Sequence, residues 1–234
     1  LDLMFDLSDV PEKDLPMVGL LQAVLGIIDT EHYEYGELFN EINRHTGGIG
    51  TSLELYPDVT KVKEKEFKAT FEIKGKALYG QIPFAIRMMK EILTASKLDD
   101  EKRLKEILSM TKTRLQDRFL SAGHSAAALR AMSYKSPISK FKDTTNGIEY
   151  YQNIREMEEY FDEKKEEIIS GLKALSELLF RKGNVMISYT ASREGLAVLE
   201  EEIGSLKEAL YPERTPESRC ILHCEKKNEG FKTS

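Results

Sequence analysis

The chain has 234 residues, enough to bury one good hydrophobic core and the size expected of one domain. With 34 Lys and Arg against 40 Asp and Glu the formal net charge is −6, and the two signs are mixed along the chain, which argues against nucleic acid or an anionic membrane as a main partner. No apolar run approaches the roughly 20 residues that span a bilayer, and no basic-then-apolar signal segment opens the sequence.

Leu1, Leu3, Phe5 and Leu7 alternate as in a strand; the alternation starts at once, without an initiator Met, and reads as a segment of a longer polypeptide. Pro11 and Asp14 then introduce a helix expected to end near Asp29. Val18, Leu21, Leu25 and Ile28 fall at helical spacing and Leu20, Val24 and Ile27 widen the stripe, so this helix is apolar around most of its circumference and reads as core. A second helix is expected over about Tyr35 to His45, stopped by Gly47 and Gly48. Strands follow at Ser52 to Tyr56 and from Phe67 to Lys74, the latter with Phe67, Ala69, Phe71 and Ile73 on an apolar face and Lys68, Thr70, Glu72 and Lys74 on a wet one.

Between them Lys61, Lys63 and Lys65 alternate as in a solvated loop or an edge strand. Helices are expected over about Pro83 to Ser96 and Asp100 to Ser133, the long one carrying Leu104, Ile107, Leu108, Thr111, Leu115, Phe119, Ala122, Ala126 and Leu129 on one face, with Gly123 as a point of bending. From Ser136-Pro137 to Asn146 the chain reads as irregular. Helices over about Ile148 to Phe180, a strand over Asn184 to Tyr189 and a last helix complete the pattern. That helix has Ser192 at its N-cap, with Leu196, Leu199, Ile203, Leu206 and Leu210 on its buried face and Pro212 and Pro216 beyond it. Strands in two early clusters and one late one, with long helices between, predict an α+β fold, a mostly antiparallel sheet covered by helices on one face.

The stretch LDLMFDLSDVPEKDLPMVGLLQAVLGIIDTEHYEYGELFNEINRHTGGIGTSLELYPD, residues 1–58, resembles the start of the C-terminal half of presequence proteases and related bacterial peptidases of the pitrilysin/insulinase family. FLSAGHSAAALRAMSYKSPISKFKDTTNGIEYYQNI, residues 119–154, carries the same likeness. In the first half of those proteins the helix after the opening strand bears an inverted zinc motif, H-x-x-E-H, and here that slot reads Met17-Val18-Gly19-Leu20-Leu21. Zinc takes nitrogen, sulfur or carboxylate ligands and its activated water needs a base, and Met17, Leu20 and Leu21 offer neither.

The resemblance implies a metallohydrolase-like domain over residues 1–212, the first domain of an inactive C-terminal half, with residues 213–234 a linker toward a following domain. It also implies a parent zinc endopeptidase that degrades unstructured peptides in a closed chamber. Zinc and the water-activating Glu then belong to the first half, and the Arg and Tyr that steady the substrate carbonyl belong to the fourth quarter. No catalytic residue and no cofactor are expected in this segment. Its expected partners are other domains of the same polypeptide and, through the assembled chamber, unstructured peptides, with no nucleic acid and no membrane. Two alternatives stay open, a separate non-catalytic subunit and a peptide-binding module without peptidase activity. The expected location is a bacterial cytoplasm, or else an organellar interior.

Other groups of residues invite chemistry on spacing alone. Cys220, His223 and Cys224 form C-x-x-H-C in a polar tail, three metal-type ligands where a closed zinc site takes four, and reduced thiols are the expectation. Gly123-His124-Ser125-Ala126-Ala127 copies part of a nucleophile elbow but follows a helix and ends in Ala127, so His124 and Ser125 are expected to make interhelix hydrogen bonds or to line a cavity. Glu41 and His45 share a helix face without a third ligand. The glycines at 47, 48 and 50 run from helix to strand, the reverse of a phosphate loop, and are expected to supply positive φ and close backbone approach.

Overall fold

In a computed structural model the residues described are 1–60, 67–213 and 219–230, so Lys61, Lys63, Lys65 and Pro216 lie outside them. Among the described residues the chain forms four strands, β1 Asp2–Asp6, β2 Ile49–Pro57, β3 Phe67–Gly75 and β4 Val185–Ser188. The helices are α1 Leu15–Val24, α2 Tyr35–His45, α3 Ile82–Thr94, α4 Glu101–Ser133, α5 Pro137–Asn146, α6 Ile148–Glu159, α7 Phe161–Leu179 and α8 Arg193–Ala209. The sheet order is β2-β3-β1-β4 with every neighbour antiparallel, so the α+β architecture read from the sequence is the one that forms.

Strand alternation decides which face is covered. Leu3 and Phe5 of β1 and Phe71 and Ile73 of β3 are buried on one face, where Phe180, just past α7, meets Phe5 and Phe71 edge-on at ring-centroid distances of 5.0 and 5.4 Å. Such edge-to-face pairs add to the burial of the rings themselves. α1 packs beside this layer and touches α4, α5, α6 and α7, which is why its leucines find apolar neighbours on nearly every side.

The opposite face is drier than the alternation predicts. Thr70 and Glu72 of β3 are buried, with Glu72 wholly so, because neighbouring strands lay long polar side chains over it. Tyr56 Oη donates to Glu72 Oε1 at 2.7 Å, Thr70 Oγ1 donates to the same oxygen at 2.5 Å, and Lys74 Nζ lies 2.8 Å from Oε2. Burial pushes the Glu72 carboxyl up, but the bonds from Lys74, Thr70 and Tyr56 more than reverse this and hold it below its ordinary value. The bond to Glu72 drives the Tyr56 phenol up to about 12.

Asp2, across the sheet from Lys74, is raised to about 6, first by burial and then by the Glu72 charge, and its buried Oδ1 has no hydrogen-bond partner among the described residues. Between the unfolded carboxyl value near 4 and about 6 the folded chain therefore holds the extra proton, and the Asp2 charge costs stability once the pH passes that window. Asp2→Asn is expected to raise stability at pH 7 by about 1 kcal/mol, a figure kept small by solvent screening, and to leave it unchanged at pH 3. Urea denaturation of both forms at the two pH values checks it, and a loss at pH 7 would refute it.

Other elements depart from expectation for identifiable reasons. α1 stops at Val24, not near Asp29, because Leu25 turns extended and Gly26 takes φ +87°; the turn still buries Leu25 and Ile28 but leaves Ile27 37% exposed. The stretch after Ser136 is the helix α5, with Pro137 at its start and Ser136 Oγ accepting from the Ser139 N–H at 3.4 Å. Its weak polar composition is overridden by packing, since Phe141 and Asp143 are both buried. Ser192 precedes α8 but its side chain makes no capping bond, and Leu196 on that helix is 38% exposed while Leu199, Leu206 and Leu210 are buried. The long helix α4 does bend, at Ala122 (φ −138°, ψ 41°) beside Gly123.

Candidate functional site

The slot of the inverted motif is sealed. Leu20 and Leu21 are fully buried, and Met17, at the rim of the core, lays its side chain against Gly171 of α7. Gly19 lets α1 approach its neighbours closely: a Cβ there would fall 2.5 Å from the Thr145 carbonyl oxygen and 2.7 Å from the Tyr150 ring. Gly19→Ala is therefore expected to cost about 1–3 kcal/mol by overpacking, although alanine is the better helix former, and calorimetry or urea melts decide it. An unchanged midpoint would contradict the contact.

Next to α1 the molecule is open. β2 is an edge strand, paired only with β3. The bond from the Lys76 N–H to the Gly48 carbonyl (3.2 Å) and the register Gly50↔Lys74 and Ser52↔Glu72 place the backbone groups of residues 50, 52, 54 and 56 toward β3. Those of Thr51, Leu53 and Leu55 point outward. Gln22 of α1 closes the first of these positions, its Nε2 donating to the Thr51 carbonyl at 3.4 Å while Thr51 Oγ1 donates to the Gln22 carbonyl at 3.1 Å. Beyond it Leu53 and Leu55 face a groove of about 630 Å³ whose far wall is α4 around its bend, with Phe119, Ala122, Ser125 and Ala126, and whose end is the last turn of α5.

The groove is edged by cations. Arg118 donates to Asn146 Oδ1 at 2.9 Å and to the Asn146 carbonyl oxygen, both neutral acceptors, and has no carboxylate partner among the described residues. Burial, with Arg114 close by, pulls its guanidinium below its usual value. Lys142 stands one turn before Asn146 on α5, exposed and without an ion-pair partner among the described residues. Sequence reasoning missed this cluster because it left 137–146 irregular; Ser136-Pro137 as a helix start would have put Lys142 and Asn146 on one face.

The remaining candidates are dispersed. Ser125 lines the groove mouth, whereas His124 is exposed on α4. Glu41 meets both Arg44 at 2.6 Å and His45 at 3.6 Å, and His45 stacks near Phe84 at 4.7 Å. Gly48 takes φ +107°, and Gly47 donates to the Lys76 carbonyl at 2.7 Å, the two roles expected of that glycine cluster. In the tail the Cys220 N–H donates to the Ser8 carbonyl at 2.6 Å, and burial raises the Cys220 thiol to about 11. His223 Nδ1 lies 2.8 Å from Glu12 Oε2, and both cysteines are free thiols. Among the described residues no three or more His, Cys, Asp or Glu side chains are grouped to hold a metal ion. The tail is also held at Glu229, whose Oε1 accepts from Arg130 Nε at 2.5 Å.

The sequence profile described as Peptidase M16 subfamily C associated matches residues 1–157, which takes in β1 through most of α6 and so includes α1, β2 and the groove. This chain belongs to that peptidase-associated family. The peptidase-associated chain is 32% identical over 98% of its length to Protein HypA of Clostridium perfringens, covering 23% of that protein. It is 24% identical over 89% of its length to presequence protease 1, chloroplastic/mitochondrial, of Arabidopsis thaliana, and 24% identical over 84% to the mitochondrial presequence protease of Mus musculus, covering 19% of each. The chain thus spans about a fifth to a quarter of the length of these curated relatives. The likeness to pitrilysin-family, presequence protease-like proteins stated for residues 1–58 and 119–154 is borne out. Among the described residues no helix is long and apolar enough to cross a membrane.

Proposed function

We propose that this peptidase-associated chain is a non-catalytic domain of a zinc-dependent endopeptidase, supplying part of the wall of an enclosed chamber in which unstructured peptides are cut. The observation that carries this reading is the burial of Leu20 and Leu21, the positions where the resembled motif would need its acid and second His, inside a core closed by four helices. A carboxylate or a charged imidazole there would lose its hydration with nothing to replace it. Zinc, its ligands and the water-activating base then reside in another part of the parent polypeptide. Residues 213–234 lead toward a following domain, and the partners are neighbouring domains plus the enclosed peptides. Exposed apolar side chains such as Phe39 (62%), Leu78 (81%) and Leu120 (63%) suit contact with such neighbours.

The test is direct. A metal-free preparation of the chain, given zinc and a quenched-fluorescent unstructured peptide, is expected to show neither tight zinc uptake nor turnover; zinc-dependent turnover by a clean preparation refutes the proposal. Reading the gene on both sides separates a single-chain peptidase, with H-x-x-E-H in the same frame, from a separate subunit.

A further inference from the structure

An open sheet edge inside a groove is an unusual thing for a chain to leave unprotected, because free strand backbone recruits other strands. At β2 the outward groups of Leu53 and Leu55 have no backbone partner among the described residues, while Gln22 has already capped the position before them at Thr51. Neither open position is a charged residue or a proline that would block approach. The opposite wall is kept low rather than filled: α4 bends at Ala122 and presents Ala122, Ser125 and Ala126, and none of its residues from 116 to 129 is buried. At one end Arg118 and Lys142 stand without counter-charge among the described residues, in a chain of net charge −6.

We propose that this groove binds a free extended peptide as an added strand on β2, with an acidic group of the peptide, side chain or C-terminal carboxylate, seated at Arg118 and Lys142. Backbone pairing at Leu53 and Leu55 gives affinity without regard to sequence, and the apolar walls take alternate side chains. The cationic end sets register and polarity. Arg118 is prepared for this, since its bonds to Asn146 fix the guanidinium plane and a carboxylate supplies the missing charge. At about 3.4 Å per residue, the β2 segment from Ser52 to Leu55 matches an extended stretch of about four residues. The binding role stands on these observations and assumes nothing about the support role proposed above.

The experiment uses the whole chain and a fluorescein-labelled eight-residue peptide of alternating Val and Thr with one Glu near its end. Comparison peptides replace Glu by Gln, or carry N-methyl groups on one or the other alternate set of amides. Saturable binding is expected, with about tenfold weaker binding of the Gln peptide. One N-methylated set should lose binding and the other keep it, because only one edge of the added strand faces β2. Hydrogen exchange should slow at the Leu53 and Leu55 amides in the complex. Arg118→Gln, on a partly exposed side chain, should abolish the Glu-over-Gln preference, and Lys142→Gln should reduce it. No saturable binding at millimolar peptide overturns the proposal. Equal binding of both N-methylated sets, or no protection at Leu53 and Leu55, does so too. None of these outcomes bears on zinc uptake or turnover, so the two proposals fail separately.

Discussion

Leu20→Glu, which writes the acid of the resembled motif back into α1, is expected to destabilise the chain by roughly 3–5 kcal/mol, the cost of an uncompensated buried charge. Against the roughly 5–15 kcal/mol that typical domains have in total, this leaves little or no cooperative folding. Leu20 is fully buried where α1 meets α4, α5, α6 and α7, so the carboxylate has no route to water. Leu20→Met, nearly equal in volume, should cost less than about 1.5 kcal/mol and shows that charge rather than shape is responsible. Adding Met17→His and Leu21→His should not rescue the variant in zinc, because position 21 is also sealed in the core. Urea midpoints with and without zinc make the measurement. A native midpoint for Leu20→Glu, or recovery of the triple variant by zinc, would show that this slot still opens toward a site.

Arg130→Ala is the second change expected to be severe. Arg130 Nη1 lies 2.5 Å from Asp143 Oδ2 and 3.0 Å from Glu149 Oε2, and Asp143 is wholly buried while its Oδ1 accepts from the Ile148 N–H at 2.9 Å to start α6. Burial pulls the Arg130 guanidinium down, but its bonds to Glu229 and Asp143 more than reverse that and hold it above its usual value. Removing it strands the Asp143 charge and frees Glu229 of the tail, at an expected cost of roughly 3–5 kcal/mol. Arg130→Met combined with Asp143→Asn should recover most of that loss, since the amide oxygen still caps α6 and no buried charge is left over at 143. A double-mutant cycle in urea gives the coupling, and an Arg130→Ala midpoint within about 1 kcal/mol of the parent would refute it.

How far the sequence could be read follows from how local each signal is. α2 was legible to the residue because its start, its glycine stop and its amphipathic stripe all lie within one stretch. β1 and β3 were legible from alternation alone, and the family likeness from residues 1–58. α5 was not, since Lys140, Lys142, Asp143, Thr144 and Thr145 have no apolar period. Asp143 is explained only by Arg130, thirteen residues away, and Glu229 only by the same arginine from the far end of the chain. The buried Glu72 escaped for the same reason: its coverage comes from Tyr56, Lys74 and Thr70, and alternation cannot tell an edge strand from a central one. The groove was invisible because it is made by β2 being at the edge, and sheet order is not written in any single strand.

The sequence by itself determined the α+β class, the oily character of α1 and the likeness to pitrilysin-family peptidases, because hydrophobic period and motif slots are properties of neighbouring residues. Only the tertiary structure decided that Leu20 and Leu21 face inward, that β2 keeps one edge open and that Arg118 stands beside it without a carboxylate among the described residues. Burial, edge position and charge pairing depend on which distant segments come to rest against a residue. That is settled by packing the whole core at once.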